Sequence, residues 1–252
     1  QSEAHNWERL AKSTAVAKTT RKQATPDGET VWSRRQSVPG TWNVGDVSEV
    51  EDIVQMIVDP NSSYARSHGM AMRRAQDAAI IEAAVGDSRD GAGDAVTFPA
   101  GQVIGDGSAA ITYDDVTATT ELFMANDVDP DEEKVMVISP AQARKLLQLT
   151  EATSGDYNAV RPLTAKGYIE SWMGYSWIVS TLLQSPTGDG SDVDCFAMTK
   201  KAIGFQMNKD IWARIEQDPS ISFAWRVYCA STFGAIRVED EQCVKLTLSE
   251  TI

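Results

Sequence analysis

Apolar and polar positions keep a helical period for longer between residues 61 and 85 than anywhere else in the chain. Tyr64, His68, Met72, Ala75 and Ala79 follow i, i+3 and i+4 spacing and share one narrow face. Arg66, Arg73, Arg74 and Asp77 take the opposite side, with Arg73 and Asp77 spaced to pair. Asp59-Pro60-Asn61 supplies a turn and a cap at the start, and Gly86 a C-cap at the end. The spacing predicts a helix over 61–85, roughly 37 Å long. Met70 and Ile81 fall on the charged side, so this helix is expected to be contacted along two sides rather than one.

The text around this helix reads mostly as strands. Residues 3–12, "EAHNWERLAK", suit a short helix or an ordered arm. "STAVAKTTRKQ", the Pro26-Asp27-Gly28 turn and "ETVWSRRQSVPGTWNVGDVSEV" read as a long two-stranded hairpin. An isolated hairpin is marginal in water, and this one carries Trp32 and Trp42 with no local partner to bury them. A neighbouring subunit is the expected cover. Beyond the long helix come a Gly-rich loop with short β pieces (86–110) and a helix over 112–128, with Val116, Thr119, Leu122, Phe123 and Asn126 on one side. "KVMVISPAQARKLLQL" (134–149) turns from buried strand to helix at Ser139-Pro140, where Ser can cap and Pro can take the first turn. Residues 167–183 read as two strands bent at Gly174, 195–208 as a strand with a turn, and 223–250 as β-rich. The class is α+β with one very long helix.

Composition narrows the setting. The chain has 252 residues, is 42% hydrophobic, and holds no apolar run long enough to span a membrane or serve as a signal-peptide core. It begins with Gln, as expected if its start was processed or is missing. Cys195, Cys229 and Cys243 are odd in number and lack CxxC spacing, which points to reduced thiols in a cytoplasm-like compartment. The net charge of -13 disfavours tight, sequence-neutral binding to DNA or to an anionic membrane. Its distribution says more. Lys18, Arg21, Lys22, Arg34 and Arg35 make the hairpin basic, while acid concentrates in "NDVDPDEE" (126–133) and "GDGSDVD" (188–194). Copies of such a chain can complement one another. The basic cluster has three readings: a charged strand edge that resists aggregation, a nucleic-acid patch, or an intersubunit contact. The third also accounts for the exposed tryptophans and is preferred.

Catalytic chemistry has no visible home. A nucleophilic triad needs a histidine near Ser or Cys, but His5 lies in the terminal arm and His68 on the apolar helix stripe, where a packed, neutral, satisfied imidazole is expected. No phosphate-binding or nucleophile-elbow motif occurs. Asp127, Asp129 and Asp131 alternate like a calcium loop, yet Glu132 replaces the turn glycine and Ile138 the closing acid, so a solvated acidic loop is the better reading. The cysteines define no zinc site, and neither a metal nor a cofactor is expected.

The order of these parts resembles the tailed-phage major capsid proteins of the Hong Kong 97 type, over essentially the whole chain. "DPNSSYARSHGMAMRRAQDAAIIEAAVG" is similar to the family's spine helix and its start, and "LTAKGYIESWMGYSWIVST" to its paired strands. The resemblance implies an N-terminal arm (1–13), an extended loop (14–52), a peripheral domain carrying the spine helix (53–126), an axial domain (127–208) and a return to the peripheral and axial sheets (209–252). It implies self-assembly as pentamers and hexamers into an icosahedral head around double-stranded DNA, in the host cytoplasm. The expected partners are copies of the chain, scaffolding, portal or decoration proteins, and packaged DNA held non-specifically, with no membrane. Lys18, Arg21, Lys22, Trp32, Arg34, Arg35, Trp42, Met70 and Ile81 are the expected subunit contacts. The alternatives are an encapsulin-like compartment, a tail or decoration protein, and a small enzyme with an unrecognised site.

Overall fold

The structure, a computed structural model, describes residues 4–25, 28, 30–49, 60–149 and 169–251. The expected Pro26-Asp27 turn and the Asp59 end of the helix cap lie outside them. Two sheets meet along the long helix. The larger has six strands in the order β6-β13-β10-β7-β9-β8: β6 (Val103–Ile104), β7 (Lys134–Ile138), β8 (Ser171–Trp172), β9 (Tyr175–Val179), β10 (Asp192–Thr199) and β13 (Cys243–Ser249). The smaller has three, β11 (Ile203–Asp218), β12 (Ala224–Arg237) and β3 (Gly40–Ser48), all antiparallel. β1 (His5–Leu10) and β2 (Trp32–Ser37) form a separate ribbon, and β4 (Ser88–Arg89) with β5 (Ala95–Val96) a minimal one.

Strand alternation builds a core on both faces of the six-stranded sheet. Met136, Ile138, Val193, Cys195, Ala197, Val244, Leu246 and Leu248 point to one face, where α2 (Tyr113–Ala125) and α3 (Pro140–Leu146) cover them with Val116, Phe123 and Leu146. Val137, Phe196 and Cys243 point to the other, against Ile81 and Ala84 of α1 (Pro60–Val85). Local signals start each helix. Thr112 and Asp115 form a reciprocal capping box at α2. Ser139 accepts from the Gln142 backbone N–H and Pro140 occupies the first turn of α3, as the sequence predicts. Buried Gln142 then ties the layers, accepting from Ile111 N–H at 2.8 Å and donating to Ser249 O at 2.6 Å. The bend at Gly174 is a tight two-residue turn with positive φ at both Met173 and Gly174.

α1 lies along both sheets. Its first half packs on β12 and β3, where His68 meets Asp46, and its end reaches the six-stranded sheet. This corrects the two-sided expectation in part. Ile81, about half a turn round from Met72, is only 5% exposed and sits in the chain's own core. A side chain so enclosed has no surface to offer a neighbour. Met70 remains half-exposed.

The basic hairpin differs most from expectation. Among the described residues its stem is not the segment 13–23 against the one that follows the turn. The arm strand β1 pairs with β2, from His5 opposite Ser37 to Leu10 opposite Trp32, and Ala11 N–H extends the ladder to Val31 O. Residues 11–18 adopt no regular structure, and Val16, their one large apolar side chain, is exposed. After Pro39, which has no N–H to donate, β3 leaves the ribbon and joins β12.

Candidate intersubunit surface

The β1–β2 ribbon is fastened to the body by an ionic cluster and three close approaches. Asp240 accepts from Arg35 Nη2 at 2.5 Å and Arg237 Nε at 2.8 Å, with Arg9 Nη1 at 3.6 Å. Arg9 Nε also donates to Glu239 at 2.7 Å. One buried carboxylate therefore joins both ribbon strands to the end of β12. Arg237, fully buried, donates a second bond to Gly86 O at the C-terminus of α1 and lies 4.4 Å above the Phe98 ring. The last turn of α1 has no basic residue of its own, so Arg237 supplies the cation that the negative end of the helix dipole favours.

Glycine lets the backbones come together where the ribbon crosses the body. A methyl group at Gly204 of β11 would fall 2.5 Å from Trp7 Cε2, and one at Gly234 of β12 2.9 Å from Ser37 Oγ. At Gly91 it would meet Arg34 Cβ at 2.9 Å. No side chain larger than hydrogen fits these places without moving the ribbon.

Beyond this base every described residue from 11 to 25 is exposed. Lys18, Arg21 and Lys22 are among them, and Gln23 Oε1 pins the turn by accepting from Thr19 and Thr20 N–H. Lys22 has positive φ (64°). Trp32, at the junction of base and loop, is 65% exposed, while Trp42 on β3 is half-exposed and stacks on Phe233 with ring centroids 6.1 Å apart. Trp42 thus has a partner in its own chain, contrary to expectation. Arg34 reaches Glu8 at 3.2 Å on the surface. Arg35 is the clearest departure: 8% exposed and bound to Asp240, it faces an acid of its own chain rather than a neighbour's. Alternation along β2 carried the signal, since adjacent Arg34 and Arg35 must point to opposite faces. Of the nine expected contact residues, the structure leaves Lys18, Arg21, Lys22, Trp32, Arg34, Trp42 and Met70 with free surface.

The remaining candidates fall into structural roles. His68 is buried, its Nε2 2.8 Å from Asp46 Oδ2, and its Nδ1 has no partner among the described residues. In the acidic loop Lys134 Nζ donates to the carbonyls of Pro130 at 2.9 Å, Asp129 at 3.2 Å and Glu132 at 3.3 Å. An ammonium sits where the loop's oxygens converge. Burial pushes the Cys195 and Cys243 thiols up to about 12.

The sequence model for the phage capsid protein family matches residues 1–250. No curated protein matches the chain. Among solved structures, the capsid of cyanophage P-SCSP1u superposes with a TM-score of 0.75 at 16% identity, covering 99% of this chain and 84% of that one. The mature capsid of bacteriophage PhiM1 gives 0.69 at 16% identity, over 98% and 82%. The head of Helicobacter pylori bacteriophage KHP40 gives 0.70 at 10% identity, over 98% and 86%. At these identities the structural likeness speaks to the fold.

Proposed function

The chain belongs to the phage capsid protein family and has the Hong Kong 97-type fold, and from that premise we propose that it assembles as pentamers and hexamers into an icosahedral head enclosing double-stranded DNA. Membership supports a structural role in the virion. The finer reading rests on one observation: a basic loop, all of its described residues from 11 to 25 exposed, projects from a base that is fastened to the body by the buried Arg35–Asp240 ion pair. Ordering so rigid a base serves a segment whose partner is another molecule. The partner that charge favours is a further copy, since a chain at -13 presents many carboxylates to Lys18, Arg21 and Lys22. Such a contact is heterologous, loop to body, and heterologous contacts form rings when the rotation between copies closes.

Scaffolding, portal and decoration proteins of the same virion are the further partners, and assembly proceeds in the host cytoplasm. DNA is held without being gripped, because a strongly acidic subunit gains little from phosphate neutralisation. Electron microscopy of the purified protein tests the reading. Closed shells are expected, with Lys18, Arg21 and Lys22 cut by trypsin in free subunits and protected in shells. Shells that fill with a cargo protein instead of DNA would favour a compartment of the encapsulin kind, and a uniformly monomeric protein that decorates other shells would overturn the proposal.

A further inference from the structure

The first half of α1 buries one side and leaves the other bare. His68 and Met72 face β12 and β3. Arg66, Met70, Arg73 and Asp77 stand outward at intervals of four, three and four residues, the spacing of a helix seam. Gly69 lies on the same stripe, three residues after Arg66 and four before Arg73. A methyl group there would meet nothing within 4 Å. Glycine inside a helix weakens it relative to alanine, and here neither a close approach nor a positive φ within the chain calls for one. What the missing side chain provides is a place where a second backbone can come close, beside the half-exposed Met70.

Pairing sets this face apart from the other basic surfaces. Arg9, Arg34, Arg35, Arg214, Arg226 and Arg237 are each ion-paired with a carboxylate of their own chain. Arg66, Arg73 and Arg74 have no such partner among the described residues, and even Asp77, spaced to pair with Arg73, stays apart. Three guanidiniums are thus left free along about 12 Å of helix, in a chain at -13.

A face of this kind fits another helix. It has no free strand edge to offer an extended segment, and its ridges and gap suit side chains spaced at i, i+3 and i+4. A DNA duplex fits it less well, because Met70 has no phosphate to meet and Asp77 stands in the same row as the arginines. The chain's own described helices do not match either: α2 has one acid, Glu121, beyond its first turn, and α3 has none.

We propose that the outward face of α1, from Arg66 to Asp77, is the docking site of an acidic amphipathic helix from a different protein. Its apolar stripe packs on Met70 and into the gap at Gly69, and its carboxylates accept bidentate bonds from the three arginines. The contact is made by a single subunit and needs no closed shell, so it stands apart from the shell reading and from the basic loop.

The test uses full-length, unassembled protein and a dye-labelled synthetic peptide, with leucine at the seam positions of its heptads and glutamate beside them. Saturable binding by fluorescence anisotropy is expected, weaker as salt rises, with no binding of a peptide in which lysine replaces glutamate. The double variant Arg66→Glu, Arg73→Glu should weaken binding about tenfold or more. Gly69→Leu separates docking from folding, since leucine is the better helix former and a Cβ there meets no neighbour. Its free subunit should unfold at the same or a higher denaturant concentration, while peptide affinity falls about tenfold. Unchanged affinity in either variant would overturn the proposal, as would no binding of the acidic peptide. Tighter binding of a DNA duplex through the same arginines would overturn it by making the face a nucleic-acid surface. Dimers of the unmodified protein that dissociate in the double variant, seen by analytical ultracentrifugation, would overturn it by making a second copy the occupant.

Discussion

The base and the tip of the arm-and-loop segment are drawn from the same basic stretch of sequence and meet opposite fates. At the base, Arg9 and Arg35 are spent inside the subunit, gathered with Arg237 around Asp240 beneath a ribbon that glycines admit to close range. At the tip, Lys18, Arg21 and Lys22 remain in solvent. A cation at the base therefore contributes to the stability of the subunit. One at the tip stays in solvent, free to meet another molecule. The difference matters because a shell subunit must be stable alone and still hold surface in reserve for its neighbours.

The sharpest way to break the comparison is Asp240→Ala, which leaves buried Arg237 and Arg35 without their carboxylate. Loss of about 3 kcal/mol or more is expected by denaturant titration, since an uncompensated buried charge is costly. Arg35→Glu should approach that loss, because it sets a carboxylate against Asp240. A near-neutral result for either would mean that the ion cluster around Asp240 is not buried as described.

Gly204→Ala comes next. Its methyl must displace the Trp7 ring, and a destabilisation of about 1–3 kcal/mol is expected for such overpacking. Trp7 should become more accessible to a fluorescence quencher, while the six-stranded sheet stays intact by circular dichroism.

Arg34→Glu sets the scale for a surface residue beside a buried one. Its pair with Glu8 is solvent-exposed, and removing it should change stability by no more than about 0.5 kcal/mol. Equal effects from Arg34→Glu and Arg35→Glu would erase the distinction between the two faces of β2.

The smallest stability effect belongs to the tip. Reversing Lys18, Arg21 and Lys22 to Glu should leave the free subunit's unfolding midpoint unchanged and lower shell yield, more so at low salt than at high. Unchanged assembly would remove the tip from the intersubunit contact.

Much of this was legible in the residues. The strand-to-helix switch at Ser139-Pro140 and the long period over 61–85 are local signals, and local geometry answers them directly. The two strands bent at Gly174 were readable for the same reason. The stem of the loop was not. Nothing in "EAHNWERLAK" separates an ordered arm from a strand, because its partner lies past a long loop whose Pro26-Asp27-Gly28 signal points to the wrong first strand. Trp42 was read as uncovered because its cover, Phe233, stands far away in sequence. The candidate contacts divide in the same way. Exposure of the tip follows from its composition, whereas the burial of Arg35 depends on an aspartate 205 residues further on.

By itself the sequence determined the long helix over 61–85, the strand-to-helix switch at Ser139-Pro140, the α+β class, and the acidic balance with its basic exception. Periods of 3.6 and 2, caps and turns act within a few residues, so the chain carries them openly. Tertiary structure alone decided which basic residues are interior and which are free. It also decided that Ile81 closes the subunit's own core, and that the outward face of α1 keeps Arg66, Arg73 and Arg74 free of ion pairs among the described residues. Those outcomes depend on which distant surfaces come together, and long-range contact leaves no periodic mark on the residues that make it.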